Sequence, residues 1–78
     1  MKMADAAYQA LESLGRPATV HEIYQEIQRL RLFEFAAKDP KGILSKTLRK
    51  HTQGSKTLVG EPKFASPRAG TFVTLSLS

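Results

Sequence analysis

Asp39-Pro40-Lys41-Gly42-Ile43-Leu44-Ser45-Lys46-Thr47-Leu48-Arg49-Lys50 is the stretch on which the fold turns. Asp39 offers a carboxylate to cap a helix start. Pro40 suits the first helical position, where a backbone N–H is not needed. Ile43, Leu44, Thr47 and Leu48 fall on one face at helical spacing, with His51 beside them. Lys41, Gly42, Ser45, Lys46 and Arg49 fall on the opposite face, with Lys50 at its border. Gln53-Gly54-Ser55 then stops the helix. The pattern predicts a helix anchored by an apolar face, with a cationic face left free.

Upstream of it, two more helices are expected. The first runs from about Met3 to Leu14, with Ala7, Ala10, Leu11 and Leu14 as its apolar stripe. Asp5 suits the positive end of its dipole, Gly15 the left-handed residue that closes it, and Arg16-Pro17 forbids continuation. Thr19-Val20-His21-Glu22 is a capping box that opens the second helix, with Ala18 and Ile23 as a weak staple. Val20, Ile23, Tyr24, Ile27 and Leu30 form its buried stripe, and it ends near Arg31. Leu32-Phe33-Glu34-Phe35 alternates briefly and reads either as a short strand or as an apolar plug between helices.

Downstream, the chain reads as strands. Thr57-Leu58-Val59 is a short apolar run, broken by Gly60-Glu61-Pro62. Phe64-Ala65-Ser66 can pair with Phe72-Val73-Thr74-Leu75 across Pro67-Arg68-Ala69-Gly70, where proline fixes one φ and glycine permits a positive one. The order is three helices followed by a β-hairpin, an α+β class. A capped third helix followed by a hairpin is the arrangement of a winged helix-turn-helix.

With 78 residues the chain is expected to form a single domain over residues 1–78 with a thin core. It therefore needs its phenylalanines inside rather than as base-stacking platforms. No cysteine is present, which excludes disulfides and cysteine-held zinc. His21 and His51 lack a third ligand, and no metal or other cofactor is expected. No apolar run approaches a membrane span, and no leader pattern is visible. There is no paired nucleophile and base, no carboxylate cluster and no glycine-rich phosphate loop, so the chain is not read as an enzyme.

Charge is divided unevenly. Residues 1–37 hold four basic and five acidic side chains, whereas residues 38–78 hold eight basic and two acidic ones. A one-sided positive field suggests a polyanion; a solvated, solubilising face is the bland alternative. Double-stranded DNA is the partner this architecture favours. The third helix would enter the major groove, with Arg49 able to donate twice to a guanine edge and Ser45 able to donate or accept. Gly42 would let the backbone come close, and Lys41, Lys46 and Lys50 would meet phosphates. Arg68 at the hairpin tip, with Lys63 before its first strand, would reach a phosphate or the minor groove. Arg68 can equally be an ordinary polar turn residue.

The assembled segments resemble the HARE-HTH winged-helix family. The resemblance rests on Asp5-Ala6-Ala7, Leu11 to Pro17, Thr19 to Ile23, Ile43, Leu44 and Leu48 after Pro40, and Phe64 with Ala69 to Leu75. It implies DNA binding, linked to modified bases such as methylated cytosine and to restriction-like nucleases or chromatin proteins. It also implies an N-terminal module of a larger protein in the bacterial cytoplasm, near the nucleoid, or in the nucleus. The isolated domain is expected to be a monomer. The competing function is a protein-interaction winged helix in a transcription or chromatin assembly, which would show exposed apolar side chains on the same face. RNA is a third candidate ligand.

Overall fold

The computed structural model describes residues 1–76. Helix α1 (Met3–Leu14) buries a strip of small side chains, Ala6, Ala7 and Ala10, beside Leu11. Alanines let the neighbouring backbones approach closely, which suits a domain with few large apolar residues. Gly15 closes the helix at φ 68°, its N–H donating to the Leu11 carbonyl at 2.9 Å.

Strand β1 (Ala18–Thr19) is a pairing the sequence does not announce. It runs antiparallel to β3 (Thr71–Thr74), with Ala18 opposite Phe72 and Thr19 opposite Thr71. A helix N-cap residue has an extended backbone, and Thr19 lies at φ −78° and ψ 165°. The geometry that caps the second helix thus also offers an edge to β3. Helix α2 (Val20–Arg29) opens on the expected box: Thr19 Oγ1 accepts from the Glu22 N–H at 3.2 Å, and Glu22 Oε1 accepts from the Thr19 N–H at 2.9 Å.

The end of α2 is less usual. The Arg31 N–H donates to the Gln28 carbonyl and the Leu32 N–H to the Ile27 carbonyl, the two bonds of a Schellman closure. That closure needs a left-handed residue, and Arg31 supplies it at φ 55° in place of the customary glycine. Leu30, expected within the buried stripe, is the C-cap residue of this closure and is exposed. Leu32 to Phe35 forms no strand. It is the apolar plug: the rings of Phe33 and Phe35 meet at 5.1 Å and those of Tyr24 and Phe35 also at 5.1 Å, half-buried against the core.

Helix α3 (Pro40–Lys50) starts as its sequence dictates, with Asp39 accepting from the Gly42 N–H at 3.1 Å. Leu44 and Leu48 are fully buried, but Ile43 is 40% exposed. At about 100° per residue Ile43 stands a quarter-turn from Leu44, and the buried arc is too narrow to include it.

Thr57-Leu58-Val59 is not a strand. It is a turn followed by coil, with Val59 66% exposed. Its backbone finds another partner, the Val59 N–H donating to the Lys50 carbonyl at 2.8 Å. Strand β2 (Phe64–Ala65) pairs with β3 as expected, Phe64 opposite Thr74 and Ala65 opposite Val73. The sheet order is β1-β3-β2. His51 closes the other side: its carbonyl accepts from the N–H groups of Lys63 and Phe64, so the hairpin is stitched to the end of α3. Phe64, Leu11, Ile23, Ile27, Leu44 and Leu48 fill the centre.

Candidate nucleic-acid interface

The outward face of α3 is held in place by Leu44 and Leu48 beneath it. Lys46, Arg49 and Lys50 lie three and four positions apart, the spacing that makes side chains neighbours on a helix surface. Together with Thr57 from the following loop they surround one surface hollow. Arg49 also borders a second hollow, between the end of α3 and the hairpin, shared with Gln53, Ser55, Ser66 and Gly70. One arginine therefore links helix and wing.

The wing tip is tied down by hydrogen bonds. Ser66 Oγ lies 2.8 and 2.7 Å from the carbonyls of Arg68 and Thr71, which share its one proton, and Thr71 Oγ1 donates to the Arg68 carbonyl at 3.0 Å. Gly70 sits at φ 81°, the positive value the turn needs. Arg68 is exposed there and, with Pro17, Pro67 and Thr71, lines a shallow recess beside β1.

Other residues singled out in the sequence lie elsewhere or do something else as well. Lys63 is turned to α1, its Nζ 3.2 Å from Asp5 Oδ1, and the ammonium beside it lowers the Asp5 pKa. Lys41 leans over the Tyr24 ring at 5.8 Å from its centroid. Gly42 has a reason internal to the fold: a Cβ there would collide with the Asp39 carboxylate that caps the helix. Ser45 is half-buried beside this face. Gln53, Ser55, Thr57 and Ser66 line these hollows and are not picked out by sequence reasoning; only a run of polar residues after the helix marks three of them.

Electrostatic pairing separates the two ends of the molecule. Arg16 donates to Glu22 at 2.9 Å, and Arg29 grips Glu26 through two bonds of 2.8 and 2.7 Å. Ser13 adds a third bond to Glu26 at 2.6 Å. The guanidinium hydrogen bonds hold the pKa values of Glu22 and Glu26 down to about 2. By contrast, among the described residues Lys38, Lys41, Lys46, Arg49, Lys50, Lys56 and Arg68 form no ion pair with a carboxylate. A family model described as HARE-HTH, a helix-turn-helix domain whose description includes ASXL and restriction endonuclease, matches residues 1–77.

The chain belongs to the HARE-HTH family.

No curated protein and no solved structure matches the chain. HARE-HTH is a DNA-binding, winged helix-turn-helix family and not a catalytic one. The three helices and the three-stranded antiparallel sheet are its α+β fold in this chain. Among the described residues no group of histidine and acidic side chains is placed to hold a metal, and no helix is long and apolar enough to cross a membrane. The HARE-HTH fold explains why Arg49 and the hairpin share a hollow: the β2–β3 wing is anchored at the C-terminal end of α3, next to that helix's free face.

Proposed function

We propose that this HARE-HTH domain binds duplex DNA with α3 in the major groove and the β2–β3 wing on the backbone or in the minor groove. One observation carries the reading: among the described residues the cations of the second half, Lys63 apart, are left without carboxylates, and three of them converge on one face of α3. Arg49 reads a guanine edge, while Lys46 and Lys50 meet phosphates. Ser45, and Gly42 through its backbone, line the approach at the start of α3. Arg68 follows the flanking backbone, and Lys41 approaches it from the α2 side. Lys63 contributes less, because its charge is already engaged by Asp5.

The domain acts as an anchor for a larger protein, in a bacterial cytoplasm or a nucleus, and its family relation to restriction endonucleases makes a linked nuclease and a modified cytosine the natural cargo and cue. A duplex titration at several salt concentrations tests the reading. With about five phosphate contacts, log K should fall against log salt with a slope of about −4 to −5. Affinity that does not change between low and near-physiological salt would remove it. Exposed Ile43 is the observation that favours the second reading, docking of a partner protein on α3. That reading predicts salt-insensitive binding.

A further inference from the structure

The loop between α3 and β2 returns to the helix it has just left. The Val59 N–H donates to the Lys50 carbonyl at 2.8 Å, and the Leu58 N–H to the Ser55 carbonyl at 3.2 Å. Ser55 Oγ accepts from the Thr57 N–H at 3.3 Å and lies 3.1 Å from Thr57 Oγ1. These bonds fix Thr57 at the hollow lined by Lys46, Arg49 and Lys50. A hydroxyl can donate once and accept twice, so Thr57 keeps capacity beyond its contact with Ser55.

We propose that Lys46, Lys50 and Thr57, at the hollow that Arg49 also borders, form a seat for a single phosphate group of the DNA backbone, so that the α3–β2 loop is a contact element beside the helix and the wing. The proposal rests on the DNA-binding reading and deepens it. Three neighbouring like charges, with no carboxylate paired to them among the described residues, repel one another in the free domain. The negative end of the α3 dipole favours cations in the last turn, which accounts for Arg49 and Lys50. It does not account for Lys46 at an earlier turn, nor for a hydroxyl held by the loop on the same hollow. A phosphate answers to both: its charge neutralises the cations, and its oxygens accept from lysine and hydroxyl donors together. Seating one phosphate here would also fix the register of α3 in the groove, the role that backbone contacts play in duplex recognition.

Thr57→Val removes the hydroxyl and keeps the shape. Ser55→Ala breaks the same loop contact but leaves the Thr57 hydroxyl in place. With an unmodified duplex, Thr57→Val should bind about tenfold more weakly, the loss of one hydrogen bond to a charged group. Its salt slope should match wild type, because no charge is lost, whereas Lys46→Ala should lower the slope by about one. Ser55→Ala, which loosens the loop but keeps the Thr57 hydroxyl, should lose clearly less than Thr57→Val. If wild type binds the duplex with a steep salt dependence and Thr57→Val binds equally well, the seat is wrong and the DNA reading stands. An equal loss in Ser55→Ala and Thr57→Val also overturns the seat, because loop shape then explains both. If wild type binds no duplex at all, both readings fall. A free terminal phosphate is the other source of the same chemistry: competition by inorganic phosphate at millimolar levels, with no Thr57→Val effect on an internal duplex site, would replace a backbone phosphate by a terminal one and overturn the proposal as stated.

Discussion

Arg29 and Arg49 are the same side chain put to opposite uses. Arg29 lies at the end of α2 and closes on Glu26, a residue only 8% exposed whose carboxylate also accepts from Ser13. Arg49 lies at the end of α3, paired with no carboxylate among the described residues, at the meeting point of two surface hollows. The first arginine completes a network that ties α1 to α2. The second is left with its donors unspent. A guanidinium whose donors are satisfied inside the domain stabilises the fold; one without an internal partner is available to a ligand. The same contrast extends over the molecule, with Arg16 and Glu22 on one side and Lys46 and Lys50 on the other.

Replacing each of the two arginines by alanine should break the comparison cleanly. Arg49→Ala should cost roughly 1–3 kcal/mol in duplex affinity and relax sequence preference, with little change in melting temperature. Arg29→Ala should leave duplex affinity unchanged and lower the melting temperature, because it strands a nearly buried carboxylate. Fluorescence anisotropy and thermal melts on both variants decide the matter. A stability loss in Arg49→Ala equal to that in Arg29→Ala would mean the α3 face is structural after all.

Acid should weaken the closed end. The pKa values of Glu22 and Glu26 are both held at about 2 in the folded domain, below the ordinary glutamate value of 4.5. Their depressed values favour the folded state above the ordinary value, and this contribution is lost as pH falls from about 4.5 towards about 2. Thermal melts over that window should show a steady fall in wild type. Glu26→Gln cannot titrate, so its deficit against wild type should be largest near neutral pH and shrink as the medium turns acidic. A constant deficit across the window would show that Glu26 acts through packing rather than charge.

A smaller stability effect should come from Arg31, the third arginine of this region. A non-glycine residue at positive φ costs about 1–2 kcal/mol, partly offset by the greater chain entropy glycine loses on folding. Arg31→Gly at φ 55° should therefore stabilise the domain by up to about 1 kcal/mol, read by denaturant midpoint at unchanged m. Destabilisation would mean that the arginine side chain makes up for its backbone strain.

Helices and hairpin were legible because each carries local chemistry of its own. Thr19 with Glu22, Asp39 with Pro40 and Gly15 before Arg16-Pro17 fix ends without reference to the rest of the chain. What failed was decided by tertiary neighbours. Strand β1 is two residues long and exists because β3 happens to lie beside an extended N-cap. Thr57 to Val59 has strand-forming residues, yet Lys50 offers its backbone a carbonyl and the sheet offers it none. At the interface, the cations of α3 were visible as a face, but the pairing of Lys63 with Asp5 spans 58 residues and leaves no mark in either segment. Thr57 and Ser66 enter the site through turns whose return direction no periodicity encodes.

The faintest expected effect concerns a methyl group and gives Ile43 a use. In the major groove a 5-methyl on cytosine projects where the thymine methyl does, and apolar contact reads it. Gly42 cannot be the reader through an empty Cβ position, because the Asp39 carboxylate occupies that space. Ile43 is the apolar side chain that α3 does expose, on the same helix face as Lys46 and Lys50. Covering one methyl contributes about 0.8 kcal/mol, so a duplex with methylated CpG should bind about fourfold tighter than its unmodified twin. Ile43→Ala should erase that ratio while leaving the salt slope intact, since no charge is lost. Matched duplexes at near-physiological salt measure it. Equal affinities for the two duplexes in wild type would leave Ile43 as an exposed side chain without a part in recognition and reduce the domain to a general DNA anchor. A preference that survives in Ile43→Ala would move the reading to Arg49, whose flat guanidinium can lie along the methyl while it bonds the neighbouring guanine.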